Sequence, residues 1–266
     1  MKYITLLLFC LPSLLWSQER GIEVFSEKTD TAINFYVRSP FYCHYTVEVR
    51  YEVFENMTSS VSLPASFAIE PLAKRQFILS VKQKPEARSW KYKFQYRFDQ
   101  GNLLSAQHDN AYVYLLPYKS VRAHKLVQGY FGKFSHSDTH ALDFEMPEGT
   151  EIVAAREGVV TAVKEDSKEG GASHEFIDKG NYIMIYHRDG TFGSYYHLKE
   201  NGVLVKEGQQ VKKGEVIGLS GNTGWSSAPH LHFEVLLPST ETKRTVPTQF
   251  LLTNGKSETL QEGRSY

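Results

Sequence analysis

The sequence predicts an all-β protein in two parts, and three observations support this fold class. Apolar and polar residues alternate one by one in several stretches, which is typical of half-buried strands. Phe and Tyr number 16 each, and aromatic residues favour strands. Glycine-containing pairs such as Asp189-Gly190 and Ser220-Gly221 separate short apolar runs in the second half, and such pairs mark turns.

Length and charge limit the functions to consider. The chain has 266 residues, of which 41% are hydrophobic, so it can form one large or two modest domains with a buried core. Its formal net charge is +0, which gives no support for bulk electrostatic binding to nucleic acid or anionic lipid. We therefore expect no nucleic-acid partner.

The N-terminus has the pattern of a secretory signal peptide. Met1-Lys2-Tyr3 precedes an apolar run from Ile4 to Trp16, and Ser17 is a small residue suited to cleavage. The run is too short for a comfortable membrane span. We expect residues 1–17 to be removed and the mature protein to be exported to the periplasm or the cell exterior, with no stable membrane span. The alternative is a retained N-terminal anchor.

Residues 18–118 are predicted to form a first domain built from strands. Apolar residues alternate with polar ones at residues 45–53 and again at residues 90–98. Weaker strand candidates lie at residues 32–37, 77–81 and 111–116. Several strands without a helical pattern in a segment of this length favour an immunoglobulin-like sandwich. No cluster of titratable side chains marks a site in this part.

Residues 119–240 are predicted to form a second domain, which holds most of the histidines. Eight of the 10 histidines lie between His124 and His232. The runs 182–187 and 191–197 flank Asp189-Gly190, which is a strong hairpin signal. Residues 241–266 form a polar C-terminal tail that we expect to fold back on this domain.

The second domain contains a predicted strand with two histidines on one face. A polar loop that starts at Gly221 leads into an alternating segment at residues 230–235. Side chains at i and i+2 lie on the same face of a strand, so His230 and His232 are neighbours and Leu231 faces the other way. One imidazole can bind a metal while the other contacts a water beside it. The alternative is a polar pair on a half-buried strand.

Four segments of the second half together resemble a known family. They are Gly132-Lys-Phe-Ser-His136 with His140-Ala-Leu-Asp143-Phe144, then Tyr195-Tyr-His197-Leu198, the glycine-framed strand at 208–218, and Pro229-His-Leu-His-Phe-Glu-Val235. In this order they are similar to the lysostaphin-type (LytM-domain) zinc endopeptidases, which cut peptides of bacterial peptidoglycan. The resemblance covers residues 127–237. It implies a lysostaphin-like β-sheet metallopeptidase domain that requires Zn²⁺ and acts on peptidoglycan peptides.

The resemblance places the metal ligands at His136, Asp143 and His232. The commonest family spacing is His-x-x-x-Asp, but no histidine lies four residues before Asp143. Some members instead carry a Ser-His several residues before an Ala-Leu-Asp-Phe stretch, and that pattern favours His136. His140 is the alternative first ligand. Two neutral imidazoles and one carboxylate would leave Zn²⁺ with an open coordination position.

The resemblance gives catalytic roles to His197 and His230. One would accept the proton of an attacking water, and the other would orient this water or stabilise the oxyanion. For His197 the alternative is an ordinary strand-end histidine that shares its face with Tyr195.

Polar residues in the same stretches are candidates for hydrogen bonds to the ligand imidazoles, which usually have such partners. The candidates are Asn181, Tyr195 and Ser227. His187, on the adjacent predicted strand, is expected to face solvent.

The leading functional hypothesis is an exported zinc endopeptidase that hydrolyses peptidoglycan peptides. The main alternative is a non-catalytic LytM-like module that binds the wall or regulates another wall hydrolase, because the first ligand is shifted from the common spacing. A third hypothesis is a lipoyl- or biotinyl-carrier-like module, which the glycine texture of residues 208–218 suggests. That hypothesis leaves the histidines unexplained.

Overall fold

The structure is a computed structural model that describes residues 21–266. The predicted signal peptide at residues 1–17 lies outside the described residues. Strands dominate the described part, and its helical structure is a 3-10 helix at His174–Lys179. No helix in residues 21–266 has the length and apolar character needed to cross a bilayer. The all-β prediction is confirmed.

The N-terminal part consists of seven strands in two sheets. These are β1 (Glu23–Lys28), β2 (Ile33–Arg38), β3 (Tyr45–Glu55), β4 (Met57–Ser59), β5 (Ala65–Ile69), β6 (Gln76–Gln83) and β7 (Lys91–Gln100). One sheet has the order β1-β2-β6-β4 and the other the order β5-β3-β7. Both sheets contribute side chains to one apolar core, so they form a sandwich. Its more specific assignment as immunoglobulin-like stays a prediction.

The alternation predicted for residues 45–53 explains how β3 packs. Val47 and Val49 are 0% and 1% exposed in the sandwich core. Between them, Glu48 faces outward and pairs with Arg97 of β7 at 2.8 Å. The two faces of the strand therefore differ as a period of two requires.

The C-terminal part holds the remaining strands. These are β8 (Val113–Leu115), β9 (Tyr118–Lys119), β10 (Leu126–Gln128), β11 (Ala141–Glu145), β12 (Glu151–Val153), β13 (Gly158–Lys164), β14 (Gly170–Gly171), β15 (Asn181–Tyr186), β16 (Phe192–Val203), β17 (Gln210–Val211), β18 (Val216–Ser220), β19 (Gly224–Trp225), β20 (His230–Leu237), β21 (Arg244–Thr245), β22 (Gln249–Leu251) and β23 (Ser257–Glu258). The main path of the large sheet is β10-β11-β20-β16-β15-β13-β17. Phe144, Tyr195 and Phe233 are at most 1% exposed in the core on one face, and the opposite face carries the candidate site.

The hairpin predicted around Asp189-Gly190 is formed by β15 and β16, which pair in antiparallel fashion. Gly190 has φ +86°, a value that favours glycine. A Cβ at this residue would also lie 2.6 Å from the Cβ of Ala106. The hairpin turn therefore packs against the segment that leads out of the sandwich.

The C-terminal segment packs against the second core. β22 pairs with β8 in parallel, and Tyr114 of β8 is fully buried in the second core. The carbonyl of Tyr266 accepts hydrogen bonds from His124 N at 2.9 Å and from the Tyr118 hydroxyl at 2.7 Å. The tail therefore folds back on the second domain. The boundary between residues 118 and 119 stays a prediction, although Tyr114 lies on its N-terminal side.

Candidate metal centre and cleft

Three side chains converge at the middle of the large sheet. His232 on β20 lies directly opposite Asp143 on β11, and His136 reaches them from the loop between β10 and β11. The potential ligand atoms of the three residues all lie within 4.8 Å of one another. His232 Nδ1 is 2.9 Å from Asp143 Oδ1, and His136 Nε2 is 3.3 Å from Asp143 Oδ2. The structure thus brings together the three side chains that the family resemblance indicated as candidate metal ligands.

The alternation of β20 explains the placement of His232. Leu231 and Phe233 are 0% and 1% exposed in the core. His230 and His232 lie on the opposite face and line an open cleft of about 950 Å³. The expected i and i+2 arrangement is therefore present.

Hydrogen bonds orient both imidazoles with one nitrogen toward Asp143. His136 Nδ1 donates to the carbonyl of Gly129 at 3.2 Å, which leaves Nε2 as the nitrogen that faces the cluster. For His232 the inward nitrogen is Nδ1, while Nε2 lies 3.7 Å from Glu234 Oε1. Two imidazole nitrogens and a carboxylate at one point are a donor set suited to a divalent cation.

Charge at this point also favours a cation. Burial lowers the pKa of His232, but the hydrogen bond to Asp143 and the nearby carboxylate of Glu234 outweigh this and raise it to about 9. Burial raises the pKa of Asp143, yet its hydrogen bonds to His136 and His232 hold it well below the usual range. In the metal-free protein His232 is therefore protonated beside an ionised Asp143. A metal ion would displace this proton.

Glu234 supports His232 from the next position on the cleft face. Its side chain is 3% exposed, and Oε1 lies 2.5 Å from Lys243 Nζ. Burial raises the pKa of Glu234, but His232 and Lys243 outweigh this and lower it to about 2. Glu234 is thus an ionised partner for the outer nitrogen of His232.

His197 and His230 lie together beside the three converging residues. Their ring centroids are 4.5 Å apart. His230 Nδ1 donates to Ala228 O at 2.8 Å, and His230 Nε2 lies 3.7 Å from Asp143 Oδ1. His197 Nδ1 donates to Thr223 O at 2.7 Å. Both rings are therefore held through Nδ1, which in a neutral imidazole leaves the lone pair at Nε2.

A β-bulge turns His197 into the cleft. β15 and β16 pair Asn181 with Leu198 and Tyr182 with Tyr196, so His197 has no opposite residue. Its φ is +65°, in the left-handed region that non-glycine residues rarely adopt. The strand therefore loses its alternation here, and both Tyr196 and His197 line the cleft. The alternative of a strand-end histidine that shares its face with the core residue Tyr195 is wrong for this reason.

His197 is neutral at physiological pH. Burial, together with the nearby rings of His230 and His232, lowers the pKa of His197 to about 3. Its free Nε2 is consequently a hydrogen-bond acceptor rather than a donor.

His140 lies outside the converging group. Its ring packs edge-on against Tyr130 and Phe131, with centroids 5.1 and 4.7 Å away. Its backbone N–H donates to Thr245 Oγ1 at 2.7 Å. The geometry favours His136 over His140 as the first ligand.

His187 does not face solvent, and the expectation for this residue is wrong. The side chain is 1% exposed, and Nδ1 donates to Glu157 O at 2.8 Å. The segment that leads out of the sandwich and β8 cover this end of β15, and Tyr114 packs edge-on against the ring at 6.4 Å. The alternation of residues along one strand does not show that another segment packs over its outer face.

None of the three expected hydrogen-bond partners, Asn181, Tyr195 and Ser227, contacts the imidazole of His136 or His232. The Tyr195 hydroxyl accepts from Ala155 N in the core, and Ser227 lines the cleft without touching a ligand. Asn181 acts indirectly, because its N–H donates at 2.9 Å to the hydroxyl of Thr223, whose carbonyl holds His197.

Sequence reasoning missed several groups that contact the site, and four of them lie beside the candidate ligands or His197. They are the Gln128 side chain, the carbonyls of Gly129 and Thr223, and the Glu234 carboxylate. Only Glu234 had a visible signal, since it continues the i, i+2 series of His230 and His232. The two carbonyls carry no signal in the sequence.

Two apolar walls flank the cleft. Trp225 and Ile177 lie on one wall and are 40% and 47% exposed. The Trp225 ring is held by a hydrogen bond to Ala172 O at 2.9 Å. Phe134, which is 93% exposed, lies on the other wall. A chain molecule can therefore contact apolar side chains on both sides of the converging residues.

Comparison with known proteins assigns this part of the chain. Residues 137–244 match Peptidase family M23. These residues are an M23 peptidase domain. The predicted resemblance to the lysostaphin-type family is thereby confirmed. His136 immediately precedes the matched range, whereas Asp143, His197, His230 and His232 lie within it.

Relatives of the M23 domain include named peptidases. The chain is 39% identical over 98 residues to the peptidoglycan DD-endopeptidase ShyA of Vibrio cholerae. The aligned segment covers 37% of this chain and 20% of ShyA. It is 43% identical over 102 residues to an uncharacterized metalloprotease of Buchnera aphidicola, covering 38% of this chain and 24% of that protein. The chain thus spans a quarter or less of the length of these curated relatives.

Solved structures of the same family are also similar to the M23 domain. The catalytic domain of lysostaphin from Staphylococcus simulans is 32% identical, with 48% of this chain and 88% of that chain covered and a TM-score of 0.34. The catalytic domain of the M23 protein EnpA from Enterococcus faecalis is 25% identical, with 50% and 93% covered and a TM-score of 0.38.

Proposed function

We propose that this protein is an exported, zinc-dependent endopeptidase that hydrolyses peptide bonds in bacterial peptidoglycan. The observation that supports this most is the convergence of His136, Asp143 and His232 in the open cleft of an M23 domain. The relatives named peptidoglycan DD-endopeptidases support the choice of substrate. The signal-peptide pattern of residues 1–17 supports export.

In this proposal His136 Nε2, His232 Nδ1 and the Asp143 carboxylate hold the zinc ion. Two imidazole nitrogens and one carboxylate oxygen are typical of catalytic zinc sites, which keep a position open for water or substrate. Ligand imidazoles usually have a partner at the outer nitrogen: His136 Nδ1 donates to Gly129 O, and His232 Nε2 lies 3.7 Å from Glu234 Oε1. When bound, zinc supplies a Lewis acid that lowers the pKa of a water and polarises a carbonyl.

His230 is the proposed general base. Its Nδ1 proton is committed to Ala228 O, so Nε2 presents a lone pair on the side of Asp143. A water between His230 and the scissile carbonyl would transfer its proton to Nε2 during attack, and the protonated ring would return a proton to the leaving amine.

His197 is the proposed orienting group for the same water. Its pKa of about 3 keeps the ring neutral, and the hydrogen bond to Thr223 O fixes the tautomer with Nε2 free. The ring centroid lies 4.5 Å from that of His230, and both rings line the cleft, so we propose that they share one water. His197 would accept a hydrogen bond and aim the water's lone pair at the carbonyl.

The assay for this proposal is a digest of purified peptidoglycan by the mature protein, with products identified by mass spectrometry. We expect new peptide ends in the presence of zinc, no products with a chelator, and recovery when zinc is added back. His232→Ala should lose both zinc retention and hydrolysis, because Asp143 and His136 alone cannot complete the donor set. His140→Ala is the matched control and should retain both.

Two results would overturn the proposal. Full hydrolysis by His232→Ala would remove the metal from the mechanism. Binding of peptidoglycan and zinc by the wild-type protein without any cleavage would instead favour the non-catalytic module.

A further inference from the structure

Gln128 ends β10 at a β-bulge that turns its side chain toward the candidate metal centre. Leu126 pairs with Phe144 and Gln128 pairs with Asp143, so one extra residue is accommodated on β10. In a regular antiparallel ladder Val127 would lie opposite Asp143. Bulges commonly re-aim side chains near active sites. Here the bulge places an amide beside the carboxylate.

The amide of Gln128 uses its full hydrogen-bonding capacity. Nε2 donates to Asp143 Oδ2 at 2.8 Å and to Ser135 Oγ at 2.9 Å. Oε1 accepts from the backbone N–H groups of Phe134 at 3.0 Å and of Ser135 at 3.2 Å. A carboxamide has two donor hydrogens and two acceptor lone pairs, and all are used in a side chain that is 6% exposed. Neither glutamate nor methionine could make this set of bonds.

These bonds connect the two candidate ligands that come first in the chain. Asp143 Oδ2, which accepts from Gln128, lies 3.3 Å from His136 Nε2. The backbone N–H groups that the amide binds immediately precede His136. Gly129 follows Gln128 in the chain, and its carbonyl accepts a hydrogen bond from His136 Nδ1. A two-residue segment thus orients both ligands.

Gly132 allows the loop to close on the amide. A Cβ at this residue would lie 2.4 Å from Gln128 Cγ and 3.0 Å from Gly129 O. Real Cβ atoms do not approach so closely, so a side chain at residue 132 would push the loop off Gln128.

We infer that Gln128 is a positioning residue, which holds Asp143 and His136 in their ligand geometry before a metal ion binds. Residues 129–140 contain no strand or helix, and an unrestrained segment of this kind would lose conformational entropy on metal binding. A preorganised loop avoids that cost. This explains how His136 can act as a metal ligand although it departs from the common His-x-x-x-Asp spacing. The inference rests on the proposed metal site but not on the nature of the substrate.

The test measures zinc affinity by competition with a chromogenic chelator. Gln128→Met keeps the length of the side chain and removes its hydrogen bonds, and Gln128→Asn keeps an amide that is too short for them. Gln209→Met is the matched control, since the Gln209 side chain accepts from Lys206 N at 3.2 Å, donates to Glu215 at 3.3 Å and does not line the cleft. Loss of hydrogen bonds to metal-ligating residues typically weakens metal affinity by about 10–100-fold. We expect a loss of this size for both Gln128 variants and none for Gln209→Met.

Two further readouts separate positioning from general stability. The visible spectrum of the Co²⁺-substituted Gln128 variants should change, because the ligand geometry relaxes, while that of Gln209→Met should not. With wall peptides, kcat should fall and KM should stay unchanged.

An unchanged zinc affinity and cobalt spectrum in folded Gln128→Met would overturn the inference. The melting temperature of the zinc-free protein shows whether this variant folds. If it does not fold, the zinc affinity and cobalt spectrum of Gln128→Asn decide instead. A wild-type protein that binds zinc but cleaves no wall peptide would end the proposed hydrolase function and leave this test intact. A wild-type protein that binds no zinc would overturn both.

Discussion

Acid should destabilise the M23 domain through His187, which the fold buries as a neutral ring. The side chain is 1% exposed, and its Nε2 finds no hydrogen-bond partner within residues 21–266. Burial is the largest influence, and it lowers the pKa of His187 from 6.5 to about 4. The charge of Arg156 acts in the same direction, and the hydrogen bond to Glu157 O only partly opposes them.

The sign of the effect follows from which state binds the proton first. Below pH 6.5 the unfolded chain protonates this ring, whereas the folded domain does so only near pH 4. The unfolded state therefore holds more protons between these values, and the free energy of unfolding falls as the pH falls. At about 1.4 kcal/mol per unit of pKa difference, the loss is roughly 2 kcal/mol at pH 5 and about 3 kcal/mol near pH 4.

The assay is urea unfolding of zinc-free protein at pH 7.5 and pH 5, for wild type and His187→Gln. Glutamine can still donate to Glu157 O but does not titrate. A Trp90→Phe background leaves Trp225 as the only tryptophan after residue 17, so fluorescence reports the M23 domain. We expect the wild type to lose roughly 2 kcal/mol more than the variant over this range. Equal losses would refute the assignment of a buried neutral His187.

Two further substitutions test the packing around the site. Gly170→Ala would place a Cβ 2.0 Å from Asn222 O and push apart β14 and β19, which carries Trp225. We expect a stability loss of about 1–3 kcal/mol and a lower kcat/KM with zinc affinity unchanged, and a wild-type kcat/KM would contradict this. Asp189→Ala removes the partner of buried Arg156, which it contacts at 2.6 Å. Urea unfolding should show a loss of about 3–5 kcal/mol, and a loss typical of a surface pair would contradict it.

The sequence was sufficient for features that depend on local periodicity. The alternation of His230, Leu231 and His232 determines which side chains share a face. The hairpin turn at Gly190 follows from residue type alone. Asp143 is predicted from the resemblance to the lysostaphin-type family rather than from periodicity, and it lies opposite His232 as the metal hypothesis requires.

Other features depend on register and tertiary contacts. The bulges that expose His197 and turn Gln128 toward Asp143 each shift one strand by a residue, and the extra residues, His197 and Val127, are neither glycine nor proline. The burial of His187 depends on a segment far away in the chain. Periodicity assumes a regular strand with one covered face, so it fails where a bulge or a second layer intervenes.

X-ray absorption at the zinc edge of the metal-loaded protein tests the central claim most directly, because it counts the imidazoles on the ion. The expected result is one zinc with two imidazoles at about 2.0–2.1 Å and oxygen ligands. His136→Ala should reduce the imidazole count to one, and His140→Ala should leave it at two. An unchanged count in His136→Ala, or a reduced count in His140→Ala, would contradict the convergence of His136, Asp143 and His232 on one ion.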